Sequence, residues 1–288
     1  TQSVVVLQLR LPRIVASILV GAALAMSGAT YQALFSNPMA SSDTVGVSSG
    51  AGVGACLGIL FGWGTLLISL SAFLVGVAAV VLTLVVSLLI ARGRNTIVFL
   101  VLIGMVISSF LAAVISILKY VADPEDQLPE ITYWLMGSFS SSSMQTNLLF
   151  CILFLCGSVP LFLLRWRVNL FSVSGAEARS LGVNINLLRV ICIVCATLLT
   201  AASIAISGGI GWVGLVIPHI VRTIVGNDFR HVLPASALLG GVYMLAMDDL
   251  SRCLFANEIP IGILTAIVGV PVFFIILIAY RRNFGDAA

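Results

Sequence analysis

IVFLVLIGMVISSFLAAVISILKY, residues 97–120, carries Lys119 as its single charge. Coiled as a helix rising ~1.5 Å per residue, such a run is long enough to cross the ~30 Å hydrocarbon core of a bilayer. Residues 147–164 repeat the pattern without any charge. Working outward from these two stretches, nine hydrophobic segments are expected at 14–35, 47–61, 65–91, 97–121, 144–166, 188–207, 212–225, 233–256 and 261–280. The sequence is 60% hydrophobic and 9% charged, with 8% aromatic residues. It lacks the alternating ~10-residue pattern of a transmembrane barrel, so the class is all-α polytopic membrane protein.

The charges sit in the gaps between these segments, and their signs orient the chain. If Arg92 and Arg94 are cytoplasmic, so are Arg165, Arg167, Arg179, Arg189, Arg222, Arg230, Arg281 and Arg282. Only Arg10, Arg13, Lys119 and Arg252 fall on the other side, as the positive-inside bias requires. The acids run opposite: Asp123, Glu125, Asp126, Glu130, Asp248, Asp249 and Glu258 lie outside. An odd number of spans then starts Thr1 outside. A chain that begins there without Met or a signal pattern is expected to lack a first helix, giving ten spans with nine visible.

Several function classes are excluded or weakened. Net charge of +3 is explained by topology and implies no nucleic acid. Cys56, Cys151, Cys156, Cys192, Cys195 and Cys253 fall in or at the ends of apolar spans, where cysteine packs as a small hydrophobe. His219 and His231 have no ligand pattern around them that would hold a metal. No phosphate-binding loop precedes Lys119, the single lysine, so the chain cannot itself hydrolyse ATP. No nucleophile, base and acid arrangement suggests an intramembrane enzyme.

Three features call for a role. Small residues crowd Gly21–Ala29 and Gly46–Ala55, which suits close helix packing or helices that slide beside a pathway. In the cytoplasmic gap, Ser174, Gly175, Ala176 and Glu177 fit a capping box. A short helix should run on through Ala178 and Arg179 to Leu181, where Gly182 can turn left-handed, and Asn184 or Asn186 can cap the next span. This segment reads either as an interfacial turn or as a rigid knob for a cytoplasmic partner. On the outer face, Arg10, Arg13 and Arg252 oppose the charge bias. They either snorkel to headgroups or dock an acidic protein surface.

Read together, Arg10-Leu-Pro-Arg13, Gly21-Ala-Ala-Leu-Ala-Met-Ser-Gly28, Asn37-Pro-Met-Ala40 and Gly46-Val-Ser-Ser-Gly-Ala-Gly52 resemble the permease family of ABC importers for iron chelates, haem and vitamin B12. So do Tyr133-Trp-Leu-Met-Gly-Ser138, Gly175-Ala-Glu-Ala-Arg-Ser-Leu-Gly182, Gly209-Ile-Gly-Trp-Val-Gly-Leu-Val-Ile-Pro-His219 and Glu258-Ile-Pro-Ile-Gly262. The matches run in order from Arg10 to about Pro271.

The resemblance implies one permease domain over residues 1–288, a ten-helix bundle that dimerises with a second copy of itself in a bacterial inner membrane. Two ATP-binding cassette subunits, which would bind the ATP and Mg, sit on the cytoplasmic side. They would couple through Ser174–Arg179 and Gly182. A periplasmic or surface substrate-binding protein would dock on Arg10, Arg13 and Arg252. A cytoplasmic gate is implied at Asn95, Thr96 and Ile97, where the sequence departs from the vitamin B12 members. Ser138, Ser140 and Ser141 lie near the outer pore mouth, as cargo contacts or as a solvated turn. No catalytic, metal or cofactor site is expected in the chain. Import of a metal chelate or an oxyanion such as molybdate or tungstate by alternating access is the function implied; the alternative is an autonomous secondary transporter or channel.

Overall fold

The computed structural model describes residues 5–91, 96–172, 182–255 and 257–285. After a π-helical turn at Val5–Arg10 come α1 (Leu11–Leu34), α2 (Val47–Leu60), α3 (Thr65–Ala91), α4 (Thr96–Val121) and α5 (Gln127–Met136). The second half holds α6 (Met144–Val168), α7 (Ile185–Ser207), α8 (Val213–Val225), α9 (Phe229–Cys253) and α10 (Ile261–Gly285). No strand occurs among the described residues. Each expected hydrophobic segment is a helix, with ends shifted by a few residues. α5 was not expected: its short apolar face, Leu128, Ile131 and Leu135, lies in the gap between the segments at 97–121 and 144–166, and only Ile131 is fully enclosed.

α1 is the axis of the bundle. Every residue from Val20 to Gln32 is buried, so this stretch of the helix has no exposed side. Glycine makes this possible. A Cβ built on Gly21 would stand 2.2 Å from the carbonyl oxygen of Gly240 in α9, and one on Gly28 would stand 1.8 Å from that of Gly214 in α8. In α2 the same holds for Gly54, 2.4 Å from the Ser71 oxygen of α3. The small-residue stretches are therefore backbone-to-backbone contacts, which lipid cannot replace.

Six of the helices are long and apolar enough to span a membrane, while α2, α8 and the start of α10 are shorter apolar elements. At 14 residues, α2 reaches only about 21 Å. The 3₁₀ turn Ser42–Val45 extends it, and the hydroxyls of Thr83 and Ser108 donate to its Val45 and Asp43 carbonyls at 3.1 and 3.0 Å. The irregular backbone of this turn is thereby tied to α3 and α4.

Candidate functional site

At one end of the bundle α1, α9 and the segment after α9 are tied by charge. Arg13, in the first turn of α1 and 8% exposed, points its Nε at Asp248 of α9, 2.9 Å from Oδ1. Its Nη1 donates to both oxygens of Glu258 at 2.8 and 2.9 Å. Asp248 is wholly enclosed and also meets Arg252 at 3.3 Å, while Arg252 pairs in turn with Asp249. Arg13 Nη2 is enclosed without any hydrogen-bond partner. Burying a guanidinium is costly unless it is paired, and Asp248 with Glu258 supply that pairing.

The three arginines, read in the sequence as snorkelling to headgroups or docking an acidic surface, differ in their surroundings. Of the three, only Arg10 is exposed and without an ion pair among the described residues. Arg13 is an internal clamp, and Arg252 is already balanced by Asp248 and Asp249. The clue was present in the sequence, because the three acids were assigned to the same side as the three arginines.

The same end holds a second junction. Ser138 donates its N–H to the Ser207 carbonyl at 2.8 Å, and Ile261 donates to the Gly137 carbonyl at 3.0 Å. Gly137 and Gly208 adopt positive φ, and a Cβ on Gly208 would meet the Trp134 oxygen at 2.2 Å. Three chain segments thus touch through their backbones. Ser138 receives a bond from Tyr133 Oη and donates to Ser140 Oγ, each at 3.1 Å. Ser140 and Ser141 are exposed and Ser138 is half-buried.

At the opposite end, Asn169 closes a reciprocal latch. Its Nδ2 donates to Asp228 Oδ1 at 2.7 Å, and its Oδ1 accepts from the Phe229 N–H at 2.8 Å. Asp228 caps α9 through the Arg230 N–H, and Arg230 places its guanidinium 4.6 Å over the Trp166 ring. These bonds, above all the Arg230 side chain, hold the Asp228 carboxyl below the ordinary carboxylate range. Neither half of the latch was visible in the sequence.

Ser174 to Arg179 lie outside the described residues. Gly182 does take the left-handed form, at φ 73°, and Asn184 caps α7 by accepting from the Leu187 N–H at 3.1 Å. Asn95 is also outside the described residues, and Thr96 and Ile97 begin α4. In the bundle interior, Arg222 donates to Gln32 Oε1, and Gln32 reaches the Gly214 and Leu215 carbonyls at 3.3 and 3.2 Å. His219 packs edge-on against Phe273, and among the described residues no His, Cys, Asp and Glu group could hold a metal.

A model of the FecCD transport family matches residues 1–279. The molybdate import system permease protein MolB of Haemophilus influenzae is 41% identical over 282 residues, covering 98% of this chain and 83% of that one. The probable iron chelatin transport system permease protein of Helicobacter pylori is 38% identical over 279 residues, or 97% and 84% of the two chains. A solved structure described as a metal-chelate type ABC transporter in an inward-facing conformation superposes with a TM-score of 0.91 at 41% identity. That likeness covers 96% of this chain and 88% of the other.

Proposed function

Because the chain belongs to the FecCD transport family, we propose that it is the membrane subunit through which a metal chelate or metal oxyanion enters the cytoplasm. The observation that carries this reading is the agreement of fold and sequence along nearly the whole chain, TM-score 0.91 at 41% identity. Two copies would enclose the pathway as a single permease domain each, in a bacterial inner membrane. Two separate ATP-binding subunits would bind ATP and Mg and perform the hydrolysis. The segment ending at Gly182 would carry their motion into the bundle, because a left-handed turn and the Asn184 cap fix how it enters α7. A substrate-binding protein would select the cargo at the outer end, beside Arg10 and the Ser138–Ser141 turn.

ATP binding would close the ATPases and shift the dimer between outward-open and inward-open states. The relatives differ in named cargo, molybdate against an iron chelatin, so cargo choice lies with the binding protein in this reading. The test is reconstitution in proteoliposomes with the ATPase and binding protein encoded beside this chain. ATP-dependent uptake of labelled molybdate or ferric chelate is expected. Glu177→Ala with Gly182→Val should abolish uptake while the membrane domain stays folded. Uptake driven by an ion gradient without ATP would instead establish a secondary transporter.

A further inference from the structure

A cavity of about 200 Å³ opens between the end of α6 and the start of α7. Its lining is divided: Leu164, Leu187 and Ile191 are apolar, whereas Arg167 and Asn184 carry N–H donors. Arg167 is exposed, and its guanidinium has no ion pair among the described residues. Asn184 spends its Oδ1 on the Leu187 N–H, which leaves its amide NH2 for another acceptor. Arg165, also in the last turn of α6, and Arg189 of α7 have no acidic partner among the described residues either, and the first turn of α7 holds no acid. The charge around the cavity is therefore positive and uncompensated. Topology accounts for basic residues at this end, but not for a cavity that sets one of them beside apolar side chains.

The apolar part of the lining continues onto the surface of two spans. Leu187, Val190 and Val194, 57%, 50% and 54% exposed, form one stripe along α7. Leu155, Val159 and Leu163 form another along α6. Both helices are long and apolar enough to cross a bilayer, so these stripes are faces that lipid covers. Trp166, exposed beside Arg167, marks the headgroup level, where amphipathic rings collect. An occupant must then offer anionic oxygen to Arg167 and hydrocarbon to the stripes. A phospholipid does both, while an acidic protein surface matches only the first.

We propose that this cavity holds the headgroup phosphate of an anionic phospholipid from the adjoining leaflet. The guanidinium fork of Arg167 would pair with two phosphate oxygens and the Asn184 NH2 with a third. An acyl chain would leave over Leu164 and Leu187 along the stripes. Bound there, the lipid would bridge α6 and α7 just after Gly182, where the segment assigned to ATPase coupling enters the bundle. That bridging role rests on the proposed coupling; the binding site does not.

The experiment is native mass spectrometry of the permease, alone and with its ATPases, released from nanodiscs of equal phosphatidylglycerol and phosphatidylcholine. Phosphatidylglycerol should be retained at least about fivefold over phosphatidylcholine, and Arg167→Gln should lower its retention about fivefold, the contribution of one arginine near an anionic surface. Asn184→Asp keeps the α7 cap but turns a donor into an acid, and should lower it as much. Lys119→Gln, at the other end of the bundle, should leave it unchanged. Equal retention of the two lipids, or retention indifferent to both cavity variants, overturns the proposal. Displacement of phosphatidylglycerol by inorganic phosphate would make this a free-anion site and overturn the lipid. Lipid held by the permease alone but expelled by the ATPases would assign the cavity to that interface, which overturns it too. Failure of the ATPases to assemble would count against the proposed function, and retention by the permease alone would still decide this inference.

Discussion

Asn169 and Asp228 are 59 residues apart in sequence, yet their side chains meet at 2.7 Å and join the end of α6 to the start of α9. Both groups are half-buried, and Asn169 opens the adjoining Asn169–Ser172 turn. Asn169→Ala removes two hydrogen bonds, a loss of about 1–3 kcal/mol. A lowered midpoint of thermal unfolding in detergent should report it, with Asn169→Asp worse than Asn169→Ala because two carboxylates would then face each other.

Acid should weaken the same latch. The Asp228 carboxyl is held below its ordinary range by Arg230 and Asn169. A depressed folded value means its contribution is fully present above the unfolded value near ~4 and is lost as pH falls through the folded one. Thermal midpoints of wild type minus Asp228→Asn should therefore be constant from about pH 6 to 8 and shrink only in strong acid. A difference that shrinks instead on raising the pH would contradict this origin.

Gly28 tests the packing of the axial helix. A Cβ there would stand 1.8 Å from backbone that cannot give way, whereas nothing lies within 4 Å of one on Gly64. Gly28→Ala should cost at least the ~1–3 kcal/mol typical of overpacking, and Gly64→Ala should stay within about 0.5 kcal/mol. Comparing monodisperse yield and thermal midpoint of the two variants checks the contrast.

Arg13 and Arg10 should separate cleanly. Removing Arg13 leaves Asp248 enclosed beside a weakened set of cations, and breaking such a pair costs about 3–5 kcal/mol. Arg13→Ala is expected to lose folded protein, while Arg10→Ala should keep wild-type stability. Size-exclusion profiles of the two would settle it.

Topology gives a further check. In a background freed of native cysteines, thiol reagents should reach Glu125→Cys only from outside and Asn227→Cys only from the cytoplasm. Labelling of both from one side would break the alternation of spans.

The helices were legible because membrane spans are set by length and apolarity, which are local properties. α5 was not, since ten residues with a single enclosed side chain, Ile131, give too little apolar signal against Asp123, Glu125 and Asp126 nearby. The small-residue faces were read correctly as contacts, but their partners were not, because Gly28 and Gly214 carry no pairing mark in one dimension. The partners of Arg13 were hidden for the same reason. Its exposure depends on Asp248, 235 residues away, and only the fold decides whether an outward arginine meets water or an acid of its own chain.

The partners of α1 impose an order of events. Gln32 bonds to α8, Ser27 to Ala196 and Thr200 of α7, Gly21 touches α9, and Arg13 closes on Asp248 and Glu258. All of these lie in the last third of the chain. During synthesis α1 therefore waits with the Ser27 hydroxyl, the Gln32 amide and the Arg13 guanidinium lacking these partners until the ribosome has passed Glu258. A truncated nascent chain is then a substrate for membrane quality control, and a stop codon anywhere before Glu258 should cost the whole subunit and not just its tail.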